Sequence, residues 1–197
     1  VDVTLNAAYD PSLFKATDVY IVEEIDYAPP FPFTGGIQMD ITKDDTWAPP
    51  FTLPFAFCFY GNEFTSVQVT SNGYIKFGGN EAYPGFASYG LTGVNSFPSP
   101  GADTDYRNVI MGVLQDIDPL LSKSPNGSIN YQVLGTYPCR ALVVNYSQLA
   151  LYGTSCQNAL PKQNSQIVIY EISNIIEVYV ANRESCPSHN GGRGVIG

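Results

Sequence analysis

The chain has 197 residues and a net charge of −9, from nine basic and eighteen acidic side chains. This acidic balance lacks the phosphate attraction that supports nucleic-acid binding, and no run approaches the roughly 20 apolar residues of a membrane span. We therefore expect no nucleic-acid partner and no membrane insertion. The many Tyr, Phe, Gly and Pro residues predict strands joined by turns, within one large domain.

The first predicted core strand is FTLPFAFCFYG, residues 51–61. Side chains alternate with period two along a strand, so Phe55, Phe57 and Phe59 lie on one face and Cys58 on the other. The aromatic face is expected to pack into the core.

A hairpin is predicted at SVQVTSNGYIKF, residues 66–77. The pattern pairs Val67 and Val69 with Ile75 and Phe77 across an Asn72-Gly73 turn, because Asn-Gly between alternating apolar residues favours a tight hairpin. The stretch indicates a scaffold and not a reaction centre.

A long, turn-rich connection follows at residues 80–106 and carries Tyr83, Phe86 and Tyr89. Long loops in compact domains often bind ligands, and exposed aromatic faces can stack on sugar rings. The alternative is that these residues fold back as a lid on the sandwich, which we favour because large exposed apolar patches are uncommon on soluble proteins.

Two acids are predicted to share a strand face in NVIMGVLQDIDP, residues 108–119. If this segment is one strand, Asp116 and Asp118 extend an apolar row towards the end of a sheet. They are candidates either for Ca²⁺ ligands or for caps of the turn before Pro119, and the structural role is favoured because two ligands fall short of the oxygens that calcium takes. No cofactor is expected to be required.

The remaining segments predict further antiparallel strands without helical periodicity. These are SINYQVLG, CRALVVNYSQL and SQIVIYEISNIIEVYVANR, the last of them a hairpin turning at Ser173-Asn174. Many short strands at close spacing favour an all-β, antiparallel two-sheet sandwich of jelly-roll type.

The four cysteines form no C-x-x-C pair, so zinc spacing is absent and two disulfides are favoured over buried thiols. Cys156 precedes the strand at Gln166 and Cys186 follows its hairpin partner, which places both at one end of that pair. We therefore predict a Cys156–Cys186 bridge, and Cys58–Cys139 by elimination. Disulfides imply an oxidising compartment.

Catalytic candidates have simpler explanations. His189 is the only histidine, so a triad or histidine-rich metal site would depend on it, but it lies in a Gly-rich loop and is expected to be solvated. The acidic pairs Asp44-Asp45 and Glu171 with Glu177 could serve glycoside hydrolysis, yet most are expected to be solvated faces of an acidic protein. We predict no catalytic residue and no enzyme activity.

Several motifs in order carry a family resemblance. The set is DDTW, PFAFCFYGNEFTSVQVTSNGYIKFG, NVIMGVLQDIDP, GSINYQVLGTYPCRALVVNYS, SQIVIYEISNIIEVYV and CPSHNGG. It resembles the N-terminal β domain of large secreted Bacteroidetes proteins that end in gliding-motility-associated, type IX secretion sorting domains. It is also similar, more distantly, to nidogen-type extracellular domains. Such relatives typically have Trp before Asn-Gly-Gly, where this chain has His189.

The resemblance implies a non-catalytic adhesion or interaction module at the cell surface, exported by type IX secretion machinery. Its expected ligand is a surface protein or a glycan. The alternatives are a carbohydrate-binding domain of a glycan-active protein and a structural component of a surface filament or secretion complex. We expect residues 1–197 to form one domain, with residues 1–19 as an N-terminal extension, in a fragment of a longer multidomain protein.

Overall fold

Ten short strands build the described part of the chain. The structure is a computed structural model that describes residues 19–41, 43–91, 106–120, 123–156 and 162–197. The predicted extension, residues 1–19, lies outside the described residues except for Val19. The strands are β1 (Ile37–Gln38), β2 (Phe51–Phe59), β3 (Asn62–Val69), β4 (Tyr74–Phe77), β5 (Val109–Met111), β6 (Ile117–Asp118), β7 (Ser128–Leu134), β8 (Ala141–Leu151), β9 (Gln163–Tyr170) and β10 (Ile176–Asn182).

The strands form two antiparallel sheets. The larger has the order β1-β7-β8-β9-β10, with β6 also paired to β8, and the smaller has the order β2-β3-β4-β5. A short 3-10 helix, Asn190–Gly192, follows β10. No helix in the described ranges is long and apolar enough to cross a membrane. The predicted all-β two-sheet sandwich is confirmed.

The predicted hairpins form as the turn chemistry indicates. In β3 and β4, Val67 pairs with Phe77 and Val69 with Ile75, which confirms the predicted register. The β9–β10 hairpin also forms, and Asn174 in its turn has a positive φ of 52°. Asn tolerates that backbone region better than most residues, so the turn matches its sequence.

The core lies between the sheets and is largely aromatic on the side of the smaller sheet. The rings of Phe57 and Phe77 stack with centroids 4.9 Å apart, and neither side chain is exposed by more than 1%. Phe51 of β2 stacks on Tyr131 of β7 at 3.9 Å and so joins the two sheets. The predicted inward face of β2 is thereby confirmed at Phe55, Phe57 and Phe59, all of which are buried.

The prediction of one strand over residues 108–119 is wrong. β5 pairs with β4 in the smaller sheet, whereas β6 pairs with β8 in the larger one. Between them the N–H groups of Gly112 and Val113 both donate to the carbonyl of Gly73, which replaces regular ladder pairing. The chain changes sheets here, and a strand that does so has to bend.

One of the two disulfide predictions is confirmed and the other is wrong. Cys156 and Cys186 form a disulfide with a Cα–Cα distance of 5.7 Å, as predicted. The predicted Cys58–Cys139 bridge is wrong, because the structure does not bond these residues to each other. Cys58 is buried at the end of β2, where its N–H donates to Asn174 Oδ1, while Cys139 is exposed in the β7–β8 turn. The pairing by elimination assumed that all four cysteines form two disulfides, and the structure does not support this assumption for Cys58 with Cys139.

A partly buried ion pair links the β7–β8 and β9–β10 turns. Arg140 Nε donates to Glu171 Oε2 at 2.7 Å, and the Arg140 backbone N–H donates to the same oxygen at 3.1 Å. Glu171 is 8% exposed, so this acid is not the solvated side chain that the sequence suggests. The hydrogen bonds from Arg140 lower the pKa of Glu171 below its ordinary value.

This ion pair predicts a pH dependence of stability. A lowered pKa in the folded state stabilises the fold above the unfolded pKa of Glu, about 4.3, and that contribution is lost as the pH falls through the folded value. We expect the melting temperature of the wild type to fall on acidification from about pH 5 to pH 3 more steeply than that of Glu171→Gln. Calorimetry across this range measures the difference. Glu63→Gln, exposed on β3, is the control and should follow the wild type; equal slopes for wild type and Glu171→Gln would contradict the prediction.

Candidate functional site

Loops from both sheets converge at one end of the sandwich. The β2–β3 turn and the β3–β4 turn lie at opposite ends of β3, and the first of these meets the β9–β10 turn through Cys58 and Asn174. The opposite end therefore carries the Asn72-Gly73 turn. Pairing of residues 46–48 with the end of β3 brings Asp44 and Asp45 to this turn, through a bridge of Trp47 to Thr70.

Three carboxylates meet at this end. One carboxylate oxygen from each of Asp44, Asp45 and Asp116 lies within 4.8 Å of the other two. Asp44 and Asp45 are half-buried, and Asp116 is only 4% exposed. We call these three residues the acid cluster.

Asn72 holds the acid cluster together. Its side-chain Nδ2 donates to Asp45 Oδ1 at 2.9 Å and to the Ala87 carbonyl at 3.2 Å, while its Oδ1 accepts from the N–H of Ile117 at 3.1 Å. Its own carbonyl accepts from Gln115. The residue that makes the hairpin turn thus connects the loop before β2, the loop after β4 and the segment that carries Asp116.

His189 contacts the acid cluster through Asp116. Its Nδ1 lies 3.1 Å from Asp116 Oδ2, and its ring packs edge-on against Tyr152 with centroids 5.3 Å apart. The side chain is 29% exposed, so the expected solvated loop histidine is instead half-buried and paired. Because His189 touches only one member of the cluster, it orients that carboxylate and is not placed as a shared ligand.

Burial and mutual repulsion shift the titration of these acids. Burial, followed by the neighbouring charge of Asp45, raises the pKa of Asp44 to about 7. Burial also raises the pKa of Asp116 to about 6, against the opposing effect of His189. The pKa of Asp45 is raised by burial as well. The fold therefore holds these carboxyl groups where their ionised forms are less favourable than in water.

The predicted pair Asp116 and Asp118 separates into two roles. Asp118 Oδ1 accepts from the N–H of Leu120 at 3.1 Å, which is the turn-capping role that the sequence favoured. Its charge still reaches the cluster, because it contributes to the raised pKa values of Asp44 and Asp45. Asp116, in contrast, joins Asp44 and Asp45, which the sequence suggested to be solvated.

The aromatic loop lies beside the acid cluster, and its backbone packs as the predicted lid would. Its backbone is anchored: Trp47 Nε1 donates to the Phe86 carbonyl at 3.1 Å, and the Ala87 N–H donates to the Asp45 carbonyl at 2.8 Å. Ala87 and Leu91 are buried against Trp47, as a lid would be. The rings of Tyr83 and Phe86 lie outside this packing.

Three aromatic side chains project from the anchored loop. Tyr83 and Phe86 are 39% and 65% exposed, and the hydroxyl of Tyr83 donates to Asp40 Oδ2. The half-buried Tyr89 packs edge-on against Phe86 with centroids 6.2 Å apart. Burial, and the charges of Asp45 and Asp116, raise the pKa of Tyr89. The site thus pairs exposed rings with buried carboxylates.

Sequence reasoning named Asp44 and Asp45 only as a solvated acidic pair, and it missed both their meeting with Asp116 and the positioning role of Asn72. A usable signal was present, because Asp44 and Asp45 form the start of the DDTW motif and Asn72 forms the SNG motif, both singled out for the family resemblance. The sequence could not show that the side chain of Asn72 donates a hydrogen bond to Asp45, which lies 27 positions earlier in the chain. In chemical terms, an oxygen-rich cluster of this kind suits a hard cation.

Comparison with known proteins gives a family match. Residues 23–197 match a protein-family model described as NIDO related, which covers most of the chain. No curated protein and no solved structure matches it. The resemblance to nidogen-type extracellular domains is confirmed by this match, and the narrower resemblance to type IX-secreted Bacteroidetes proteins stays a prediction.

Proposed function

This chain belongs to the NIDO-related family, and we propose that it acts as an extracellular adhesion module that binds a surface protein or glycan without catalysing a reaction. The family is not a known enzyme class, and a non-catalytic interaction module is compatible with membership. The Cys156–Cys186 disulfide is consistent with an extracellular location, because such bonds persist in oxidising compartments.

The observation that carries the proposal is the anchored aromatic loop. Binding sites need side chains that are exposed and yet held in place, since ordering a flexible loop costs binding free energy. Phe86 meets both conditions: its ring is exposed, while its carbonyl and the neighbouring Ala87 are tied by hydrogen bonds to Trp47, Asn72 and Asp45. The exposed Tyr83 is held through its hydroxyl, which donates to Asp40. Aromatic side chains are enriched among the residues that dominate binding energies.

Binding to sugar rings is the most direct use of such a surface. An aromatic face stacks on the apolar face of a pyranose, and the neighbouring Asp40 and Tyr83 hydroxyl offer hydrogen-bonding groups. The same feature supports the second candidate, a carbohydrate-binding domain attached to a glycan-active protein. The adhesion module and the carbohydrate-binding domain would use the same aromatic surface, and they differ only in the activity of the rest of the protein.

Export is the second part of the proposal. We assign the domain to a large Bacteroidetes-type surface protein, secreted by the type IX machinery and associated with gliding or attachment. The ordered motifs from DDTW to CPSHNGG support this assignment. Antibodies against the domain should label intact cells of the native source, and disruption of the type IX machinery should remove that label. Surface labelling that survives the disruption would contradict this part.

A binding experiment with matched variants tests the surface. The disulfide-bonded domain is applied to a glycan array and to a panel of extracellular proteins, and the strongest ligand is titrated. Phe86→Ala is expected to weaken binding about tenfold or more, because truncating a central aromatic contact typically has this effect. Its melting temperature should stay close to that of the wild type, since the ring is 65% exposed.

The control is Tyr137→Ala. Tyr137 is equally exposed, at 68%, but it lies in the β7–β8 turn at the opposite end of the sandwich. It should bind as the wild type does. If Phe86→Ala and Tyr83→Ala both retain wild-type affinity, the aromatic loop is not the binding surface and the proposal fails.

A further inference from the structure

We propose that Asp44, Asp45 and Asp116 bind a divalent calcium ion. This site goes beyond the proposed adhesion function, because it concerns a bound ion and its effect on the fold, whatever the ligand of the aromatic loop.

The spacing of the carboxylates fits one shared ion. Calcium binds oxygens at about 2.3–2.6 Å, so two ligands of the same ion lie at most about 5 Å apart. The three carboxylate oxygens lie within 4.8 Å of one another. An ion at the centre would therefore lie at or close to coordination distance from all three oxygens.

A second observation points to the same place. Asp116 is 4% exposed, and its Oδ1 is buried without a hydrogen-bond partner in the described part of the chain. A buried carboxylate oxygen without a partner loses its hydration and gains nothing in return, which is costly. A cation in the acid cluster would satisfy this oxygen.

Each of the three carboxylates also has a hydrogen-bond donor. One oxygen of each accepts a hydrogen bond: Asp44 Oδ1 from the N–H of Asp45, Asp45 Oδ1 from Asn72, and Asp116 Oδ2 from His189. Each carboxylate thus has a second oxygen to offer as a ligand. Groups that hydrogen-bond to the ligating carboxylates are typical of built metal sites.

The donor set favours calcium over other metals. The three residues of the acid cluster offer only carboxylate oxygens, whereas zinc and copper prefer thiolate and imidazole ligands. Asp44 and Asp45 are adjacent in the chain, an arrangement that calcium, with its irregular coordination of six to eight oxygens, accepts more readily than octahedral magnesium. Backbone carbonyls and water would complete the shell, so we expect the affinity of extracellular modules, with Kd about 10⁻⁴–10⁻³ M.

Thermal unfolding with defined ions tests the site. The disulfide-bonded chain is stripped with a chelator and melted with 5 mM CaCl₂, with 5 mM MgCl₂, or with NaCl at the same ionic strength. Calcium is expected to raise the melting temperature by about 2–9 °C, because an ion that binds only the folded state stabilises it. Magnesium and NaCl should raise it by much less. Titration calorimetry should give one calcium per chain.

The variants decide which residues are responsible. Asp45→Asn and Asp116→Asn keep the size of the side chain, and each should abolish the calcium-dependent rise. Asp26→Asn is the control, because Asp26 is exposed and outside the acid cluster. If a variant fails to fold, terbium luminescence sensitised by Tyr89 in the wild type, and its displacement by calcium, reports the same site. The proposal is overturned if calcium gives no rise and no binding heat, if magnesium acts equally, or if Asp116→Asn responds as the wild type does.

Discussion

Gly73→Ala is expected to destabilise the domain by about 2–5 kcal/mol. Gly73 has a φ of +85°, a region that costs an L-residue about 1–2 kcal/mol. A Cβ there would also overlap the carbonyl of Val113, which is backbone and cannot move aside alone. Overpacking of this kind typically adds about 1–3 kcal/mol.

The consequence extends to the acid cluster. The Gly73 carbonyl accepts from both Gly112 and Val113, and the preceding residue, Asn72, holds Asp45 and Ile117. A shift of this turn would move the segment that carries Asp116. Urea denaturation measures the loss of stability, and the calcium-dependent rise in melting temperature should weaken in the same variant.

Gly61→Ala is the matched control. Gly61 also has a positive φ, +74°, but nothing lies within 4 Å of a Cβ built there. Only the backbone cost applies, so the expected loss is about 1–2 kcal/mol. If the two variants lose the same free energy of unfolding, contact with Val113 is not what makes glycine necessary at position 73.

Removal of the Cys156–Cys186 disulfide is expected to lower the stability by about 3–4 kcal/mol. The bond closes a loop of 30 residues. In the chain-entropy account, its removal increases the conformational entropy of the unfolded chain and so lowers the free energy of unfolding by about this amount. For a domain of this size the melting temperature of Cys156→Ser/Cys186→Ser should fall by about 6–16 °C. Both cysteine residues are buried, so replacing their side chains adds a smaller packing loss.

Reduction provides an independent measurement of the same bond. A reductant should lower the melting temperature of the wild type to that of the double variant and leave the double variant unchanged. Cys139→Ser is the control, because Cys139 is exposed and not bonded to Cys58. A Cys139→Ser variant that melts as low as the double variant would show that the bond in solution involves Cys139.

Local patterns determined most of the fold. The alternation of Phe55, Phe57 and Phe59 predicted a buried face, and the Asn72-Gly73 turn predicted the register of Val67 with Phe77. These predictions succeed because a strand face and a two-residue turn depend on neighbours within a few positions. The Cys156–Cys186 bridge succeeded for the same reason, since a single hairpin relates its two ends.

What the sequence by itself determined is thus the class of fold, its hairpins, one disulfide and the aromatic character of the loop after β4. Only the tertiary structure decided that residues 109–118 change sheets, that Cys58 and Cys139 stay apart, and that Asp44 and Asp45 meet Asp116. The physical reason is chain distance. Alternation and turn propensity act between near neighbours, whereas Asp45 and Asp116 are joined through Asn72, whose buried amide has to satisfy hydrogen bonds from three separate loops.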